Sequence, residues 1–210
     1  MTPITRRAAL ATLATLTATP AFARALSPED RASAVKAADG IQALKEVKGR
    51  FEQTDNRGGI TQGTIYLKRP GLARFAYDPP SGLTVVSDGE HVSIADTRLK
   101  TFDRYPLGNT PLALFLKAQV RLDRGVSISR IERRPDGGFS ITARDGLRRT
   151  RGSITLDFGP GEPAPLRGWS LVDAQGAVTR VRILNLAPAP GLDPGLFVIR
   201  DPRRGPATRR

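Results

Sequence analysis

The chain has 210 residues and a mass of 22.6 kDa, which is enough for one domain with a sizeable core. Its hydrophobic content of 39% and charged content of 25% are those of a globular protein, and no apolar run reaches the ~18 residues that cross a bilayer. The absence of cysteine excludes disulfides, thiolate nucleophiles and cysteine-ligated metals, and the single histidine excludes a polyhistidine metal site.

Residues 1–23 have the pattern of a cleaved secretory signal peptide. Arg6 and Arg7 precede the apolar residues 8–19, and residues 21–23 (Ala-Phe-Ala) offer a cleavage site. The arginine pair also fits a twin-arginine signal, and the sequence leaves the export route open. Removing these residues takes away two arginines and no acids, so the net charge falls from +13 to +11. In a bacterial periplasm we expect no nucleic-acid partner, and the charge favours solubility or contact with anionic lipid or acidic proteins.

The first element expected in the mature chain is a helix from Pro28 to about Leu44. Ser27 can cap its free amides, and Pro28 occupies the first helical position. Apolar residues recur every three positions, which predicts one buried face formed by Val35, Ala38, Ile41 and Leu44. Gly40 weakens the middle of this helix by ~1 kcal/mol, so tertiary packing has to stabilise it.

From Val47 onward the hydrophobic period changes to two, which is typical of strands with one buried face. The first such residues are Phe51, Ile65, Leu67, Phe75 and Tyr77. Turn signals separate further candidate strands at Leu83–Ser87, His91–Asp96, Lys100–Tyr105, Val126–Arg133, Phe139–Arg144, Arg148–Phe158, Leu166–Val172, Val178–Leu184 and Leu196–Ile199. The sequence therefore predicts a mainly β protein, an antiparallel sandwich or barrel of about eleven strands with helices.

One apolar segment interrupts the strands. Thr110 and Pro111 predict a helix start, and residues 112–119 follow with Leu112, Leu114, Phe115 and Leu116. Side chains of a curved sheet cannot by themselves fill its concave face, so helices, a second sheet or a ligand must close it. Two interpretations remain open at this point: the helices are movable covers over a site for an apolar ligand, or they plug the barrel permanently.

Four segments occur in this order along the chain: residues 49–53 (Gly-Arg-Phe-Glu-Gln), 63–75, 85–89 (Val-Val-Ser-Asp-Gly) and 108–111 (Gly-Asn-Thr-Pro). Together they resemble the LolA family of periplasmic outer-membrane lipoprotein carriers. The resemblance covers roughly residues 26 to 202. It implies an unclosed antiparallel β-barrel covered by an N-terminal helix and a short lid helix, with an interior that takes up the acyl chains of a lipoprotein.

The resemblance also implies a role for one arginine. The family's key arginine lies in an Arg-Pro pair at the end of the second strand, where it bonds to the lid and controls closure, and Arg69 holds that position. Strand alternation places Ile65 and Leu67 on the face of Arg69, and Phe51, Phe75 and Tyr77 are inward candidates on neighbouring strands. The lid helix would carry Leu112, Leu114, Phe115 and Leu116. Ala73 departs from the family, because many members have a large aromatic residue at this position. The resemblance therefore does not determine the shape of the cavity.

The resemblance further implies a periplasmic location, a carrier domain at residues 24–202, and acylated lipoproteins as cargo. The implied partners are the inner-membrane ABC transporter LolCDE and the outer-membrane receptor LolB, or the outer membrane directly. We expect a monomer, no cofactor, no metal and no catalytic residues, and a disordered basic tail at residues 203–210. The alternative is a periplasmic lipid-binding or sensor protein on the same scaffold that transfers no cargo.

An enzyme is the other rival class. The sequence has no Gly-x-Ser-x-Gly elbow, no phosphate-binding Gly-Lys-Ser/Thr and no His-Glu-x-x-His motif. His91 has no evident serine or cysteine partner, and nothing distinguishes a carboxylate pair such as Asp55 and Asp78 from other acids at a barrel rim.

Overall fold

The structure is a computed structural model that describes residues 26–122, 126–145, 152–173 and 175–203. The expected signal peptide at residues 1–23 lies outside the described residues, as does the expected tail apart from Arg203. No helix of the described residues is long and apolar enough to span a membrane.

Eleven antiparallel strands form one continuous sheet, in the order β6-β5-β4-β3-β2-β1-β11-β10-β9-β8-β7. The strands are β1 (Glu46–Thr54), β2 (Ile60–Lys68), β3 (Leu72–Tyr77), β4 (Leu83–Asp88), β5 (His91–Asp96), β6 (Thr101–Pro106), β7 (Val126–Arg133), β8 (Phe139–Asp145), β9 (Ser153–Phe158), β10 (Leu166–Val172) and β11 (Val178–Pro188). The end strands β6 and β7 do not pair with each other, so the barrel is unclosed. The predicted fold class is confirmed.

The sheet curls around a single hydrophobic core. Buried side chains from both halves of the strand order belong to the same cluster, among them Ile65 of β2 and Leu156 of β9. Three register shifts, in the pairings of β1 with β11, β10 with β9 and β7 with β8, bend the strands locally. At the first of them the main-chain N–H of Arg50 donates to Asn185 Oδ1 at 2.9 Å, which replaces a ladder hydrogen bond.

Two of the predicted strands differ from the structure. Leu196–Ile199 is not a strand, because Pro194–Phe197 forms a 3-10 helix that packs against β3 and β4. The Asp193 carboxylate accepts from the Gly195 N–H at 2.8 Å at its start, a local capping signal that the apolar pattern concealed. The strand predicted at Arg148–Phe158 is confirmed only as β9, since residues 148–151 lie outside the described residues.

The N-terminal helix α1 (Pro28–Gln42) forms where the sequence predicts it. The Ser27 hydroxyl accepts from the Asp30 N–H at 3.1 Å, and Pro28 begins the helix. The predicted buried stripe is confirmed in part: Ile41 is fully buried, and Ala38 and Leu44 pack against the core. It is wrong for Val35, which is 49% exposed, and the other buried residues of the helix are Ala34, Ala37 and Gly40. A strict three-residue repeat drifts away from the 3.6-residue turn, and the face with the smallest side chains approaches the protein most closely.

Gly40 marks the closest approach of α1 to the rest of the chain. A Cβ atom there would lie 2.1 Å from the Ala164 carbonyl oxygen, in the loop between β9 and β10. Glycine is therefore required at this position by packing, which outweighs its low helix propensity.

We expect Gly40→Ala to lower the free energy of unfolding by about 1–3 kcal/mol, although alanine is the better helix former. Gly108→Ala is the matched control, because a Cβ at Gly108 meets no atom within 4 Å. Urea unfolding followed by circular dichroism measures both. Equal stability of the Gly40→Ala protein and the wild type would contradict the close packing of α1.

Candidate functional site

The five side chains predicted to line the interior lie together on the inner face of the sheet. Phe51 and Ile65 are fully buried, Leu67 and Phe75 nearly so, and Tyr77 is partly buried against the same core. Ala73 also lies on this face, fully buried and paired with Leu67 and Ser87 on the flanking strands. In this state the interior is packed with side chains, so an apolar ligand can enter only if some of them move.

Aromatic rings form a continuous row across this interior. Phe51 contacts Tyr77 and Phe75 with ring centroids 5.1 and 5.6 Å apart, and Phe75 contacts Trp169 at 5.8 Å. Trp169 in turn contacts Phe115 at 5.6 Å, on the element that covers the open side. Sequence reasoning missed Trp169, although an isolated tryptophan within a strand is a signal that could have singled it out.

The covering element is the lid segment, residues 107–122, which links β6 to β7. It contains a 3-10 helix (Leu107–Asn109) and the one-turn helix α2 (Ala113–Leu116). The longer helix predicted over residues 112–119 is wrong. The Thr110 hydroxyl donates to the Leu107 carbonyl at 2.9 Å instead of capping a helix, and Lys117 has extended backbone angles.

The four predicted lid residues do not behave alike. Phe115 and Leu116 are buried in the core, whereas Leu112 and Leu114 are only partly buried. The lid segment crosses the interior from the β2–β3 turn to the end of the β8–β9 pair, where a crevice beside Leu114 has a volume of only about 20 Å³. The lid is therefore closed on a filled interior.

Arg69 joins the lid segment to α1 and β2. Its Nη1 donates to the Ile41 carbonyl at 2.6 Å, and its Nη2 donates to Gln42 Oε1 at 3.0 Å and to the Lys117 carbonyl at 2.5 Å. Its main-chain N–H donates to the Lys45 carbonyl at 2.8 Å. α1 has no basic residue in its last turn, and Arg69 supplies the positive charge that the C-terminal carbonyls of a helix favour.

Two further residues hold the lid segment closed. The Gly71 N–H donates to the Leu116 carbonyl at 2.8 Å, and Gln42 Nε2 donates to the Ala118 carbonyl at 3.3 Å. Gln42 Oε1 also accepts from the Val120 N–H at 3.3 Å, so one amide spans two points of the lid segment. Sequence reasoning missed Gln42, since a glutamine at the end of a helix carries no distinguishing signal.

Partial burial of Arg69 disfavours the positive charge of its guanidinium. Burial lowers the pKa of the Arg69 guanidinium, because desolvation disfavours the cation. Its Nε is shielded from solvent without a hydrogen-bond partner. The closed arrangement therefore leaves one hydrogen-bond donor of Arg69 unsatisfied, and an unpaired buried donor costs free energy.

The acidic residues considered for catalysis have structural partners. Asp78 forms a bidentate ion pair with Arg50 on the outer face. Asp55 accepts from the main-chain N–H groups of Arg57 and Gly59, each at 2.8 Å, within the β1–β2 turn. Within the ranges that the structure describes, no group of three histidine or acidic side chains is arranged to hold a metal ion.

Comparisons with known proteins give one consistent result. The family model described as outer membrane lipoprotein carrier protein LolA matches residues 42–200. An outer-membrane lipoprotein carrier protein of Bordetella pertussis is 32% identical over 166 residues, covering 70% of this chain and 73% of that protein. Its counterpart in Neisseria meningitidis serogroup C is 27% identical over 182 residues, covering 79% and 85%.

A crystal structure of a LolA superfamily protein from Nitrosomonas europaea is also similar. It covers 80% of this chain and 97% of its own, with 10% identity and a TM-score of 0.44. A similarity of this size supports no functional inference.

Tyr77 offers a test of the interior's polarity. Burial raises the pKa of Tyr77 to about 12, so the folded protein keeps its phenol protonated above pH 10, where an unfolded tyrosine ionises. The unfolded state then binds fewer protons, and stability falls as the pH rises from about 10 to about 12.

We therefore expect the wild type to lose up to about 1.4 kcal/mol of stability per pH unit in this window relative to Tyr77→Phe. Urea unfolding of both proteins between pH 9 and 11.5 measures the difference. A difference that does not vary with pH would show that Tyr77 is solvated.

Proposed function

Since the chain belongs to the LolA family of outer membrane lipoprotein carrier proteins, we propose that it carries lipoproteins by taking their acyl chains into the interior beneath the lid segment. The observation that supports this site is the buried row of rings that ends on the lid at Phe115. The family is one of carriers, not enzymes, and no bond is made or broken in this function.

The free energies of burial favour entry of the acyl chains over closure of the lid. Each buried CH₂ contributes ~0.8 kcal/mol, so one long chain gains about 10 kcal/mol or more if it is fully enclosed. Exposing a buried phenylalanine or leucine such as Phe115 or Leu116 costs about 1.5–3 kcal/mol each. Cargo can therefore displace the lid. Release then requires that the chains are enclosed only in part. It also requires that closure of the empty carrier offsets some of the free energy lost when the chains leave the interior.

Arg69 sets this balance. Its bond to the Lys117 carbonyl requires the lid to lie closed. Because this bond stabilises the empty state and not the loaded one, it favours release of cargo. Phe51, Ile65, Leu67, Phe75 and Tyr77 are the proposed acyl-chain contacts.

The domain organisation and the partners complete the proposal. Residues 1–23 act as the export signal, residues 24–202 form the carrier domain, and the mature protein works in the periplasm. The inner-membrane transporter LolCDE supplies the cargo, and LolB or the outer membrane itself receives it. The relatives named as outer-membrane lipoprotein carrier proteins support the choice of lipoproteins as cargo.

Loading can be followed through Trp169, the single tryptophan of the chain. We expect a triacylated lipoprotein to change its emission, because Phe115 must leave the ring of Trp169 when acyl chains enter. The same lipoprotein without its acyl chains is the control. An equal response to both forms, or to neither, would contradict an acyl site beneath the lid.

We expect Arg69→Leu to fold normally and to release cargo about 10-fold more slowly, because a charged hydrogen bond that favours closure is lost. The readout is transfer of labelled lipoprotein to acceptor vesicles carrying receptor. Arg50→Leu is the matched control: the Arg50 guanidinium is also partly buried and hydrogen-bonded, but its partners are Asp78 and Thr64 and not the lid. Transfer by Arg69→Leu at the wild-type rate would remove Arg69 from the mechanism.

Uptake and release of free phospholipid without transfer of lipoprotein would favour the lipid-binding alternative.

A further inference from the structure

Three exposed cations border the lid segment. Lys45 lies just before β1, Lys117 follows α2, and Arg144 lies near the end of β8. None of their side chains makes a hydrogen bond or an ion pair with another residue of the described ranges. Elsewhere on the surface some cations are paired, for example Lys36 with Glu162, and others such as Arg57 and Lys100 are exposed without a side-chain partner in the described part of the chain. The rim differs from these in having its cations beside partly exposed leucines.

The three cations are neighbours around the lid. The carbonyls of Lys45 and Lys117 both accept from Arg69, at 2.8 and 2.5 Å. Lys117 and Arg144 line the same crevice beside Leu114, and no acidic side chain of the described residues lines it. We call these three residues, with the partly exposed Leu112 and Leu114, the lid rim.

We propose that the lid rim docks the carrier on an anionic phospholipid bilayer, with the lid facing the headgroups. Unpaired cations beside partly exposed leucines are the composition of an interfacial surface, in which charge meets lipid phosphates and apolar side chains enter the headgroup boundary. The two faces of the lid thus have separate roles: Phe115 and Leu116 close the interior, and the rim meets the membrane.

Docking on the rim brings the closing bond of the lid next to the bilayer. Lys117 carries both a rim cation and the carbonyl that accepts from Arg69. This step rests on the proposed carrier function, and it places the acyl site against the bilayer that receives the chains.

Vesicle flotation of the cargo-free mature protein tests the docking alone. We expect binding to vesicles of 70% phosphatidylcholine and 30% phosphatidylglycerol at about 50 mM salt, and little binding to pure phosphatidylcholine, since surface charge decays within a Debye length. Each basic residue near an anionic surface strengthens binding about five-fold, so Lys45→Gln/Lys117→Gln/Arg144→Gln should weaken it on the order of 100-fold.

Arg57→Gln/Arg98→Gln/Lys100→Gln is the matched control. It removes three exposed cations in the β1–β2 and β5–β6 turns, at the ends of those hairpins remote from Lys45 and from the start of the lid segment. The control should bind within about three-fold of the wild type. The proposal would be overturned if the rim variant and the control variant bound vesicles equally, whether both lost binding or both kept it. It would also be overturned if the wild type bound the two vesicle compositions equally. Because no cargo is present, a negative result leaves the carrier function untouched, and the Trp169 experiment can fail without affecting this one.

Discussion

The structure depends on one constraint: eleven strands that curl in one direction create a concave apolar face that cannot be left to water. The inner face must be covered, and the unpaired edges β6 and β7 mean that the sheet itself does not complete the cover. α1 covers part of it through a face of small residues, and the lid segment covers the rest with little more than one helical turn. A cover this short has few internal hydrogen bonds, so its position is determined by what it contacts.

Those contacts are few and of two kinds, which is what a reversible cover requires. Phe115 and Leu116 contribute apolar burial, which acyl chains can replace with equal or greater gain. Arg69, Gln42 and Gly71 contribute directional bonds to lid carbonyls, which acyl chains cannot replace. In the proposed mechanism, loading exchanges one apolar contact for another and loses the polar bonds, and the closed state is selected again once the chains have left. The unsatisfied Nε of Arg69 makes that closed state less stable than a fully bonded one, which favours loading.

The same segment that closes the interior presents the unpaired cation of Lys117 to solvent, and the carbonyl of the same residue accepts from Arg69. Closure and the proposed membrane contact therefore use adjacent groups of one short element. The outer face of the barrel carries ion pairs such as Arg50–Asp78, and Arg182–Glu52 between the neighbouring strands β11 and β1. Orientation on a charged surface then depends on where unpaired charge lies beside partly exposed leucines and not on the net charge alone.

The sequence alone determined α1, most of the strands and the residues of β1 to β3 that face inward. The period-two alternation predicts Phe51, Ile65, Leu67, Phe75 and Tyr77 on one face because side chains of a strand must alternate, and the Ser27-Pro28 start predicts α1 because caps are local. The tertiary structure decided what depends on neighbours distant in the chain. Gly40 is required by the Ala164 carbonyl, Trp169 is placed by rings from other strands, and the lid helix is cut to one turn because Lys117 turns its carbonyl to Arg69. Such contacts join residues tens of positions apart, and a local pattern carries no information about which carbonyl or ring will stand opposite once the sheet has curled.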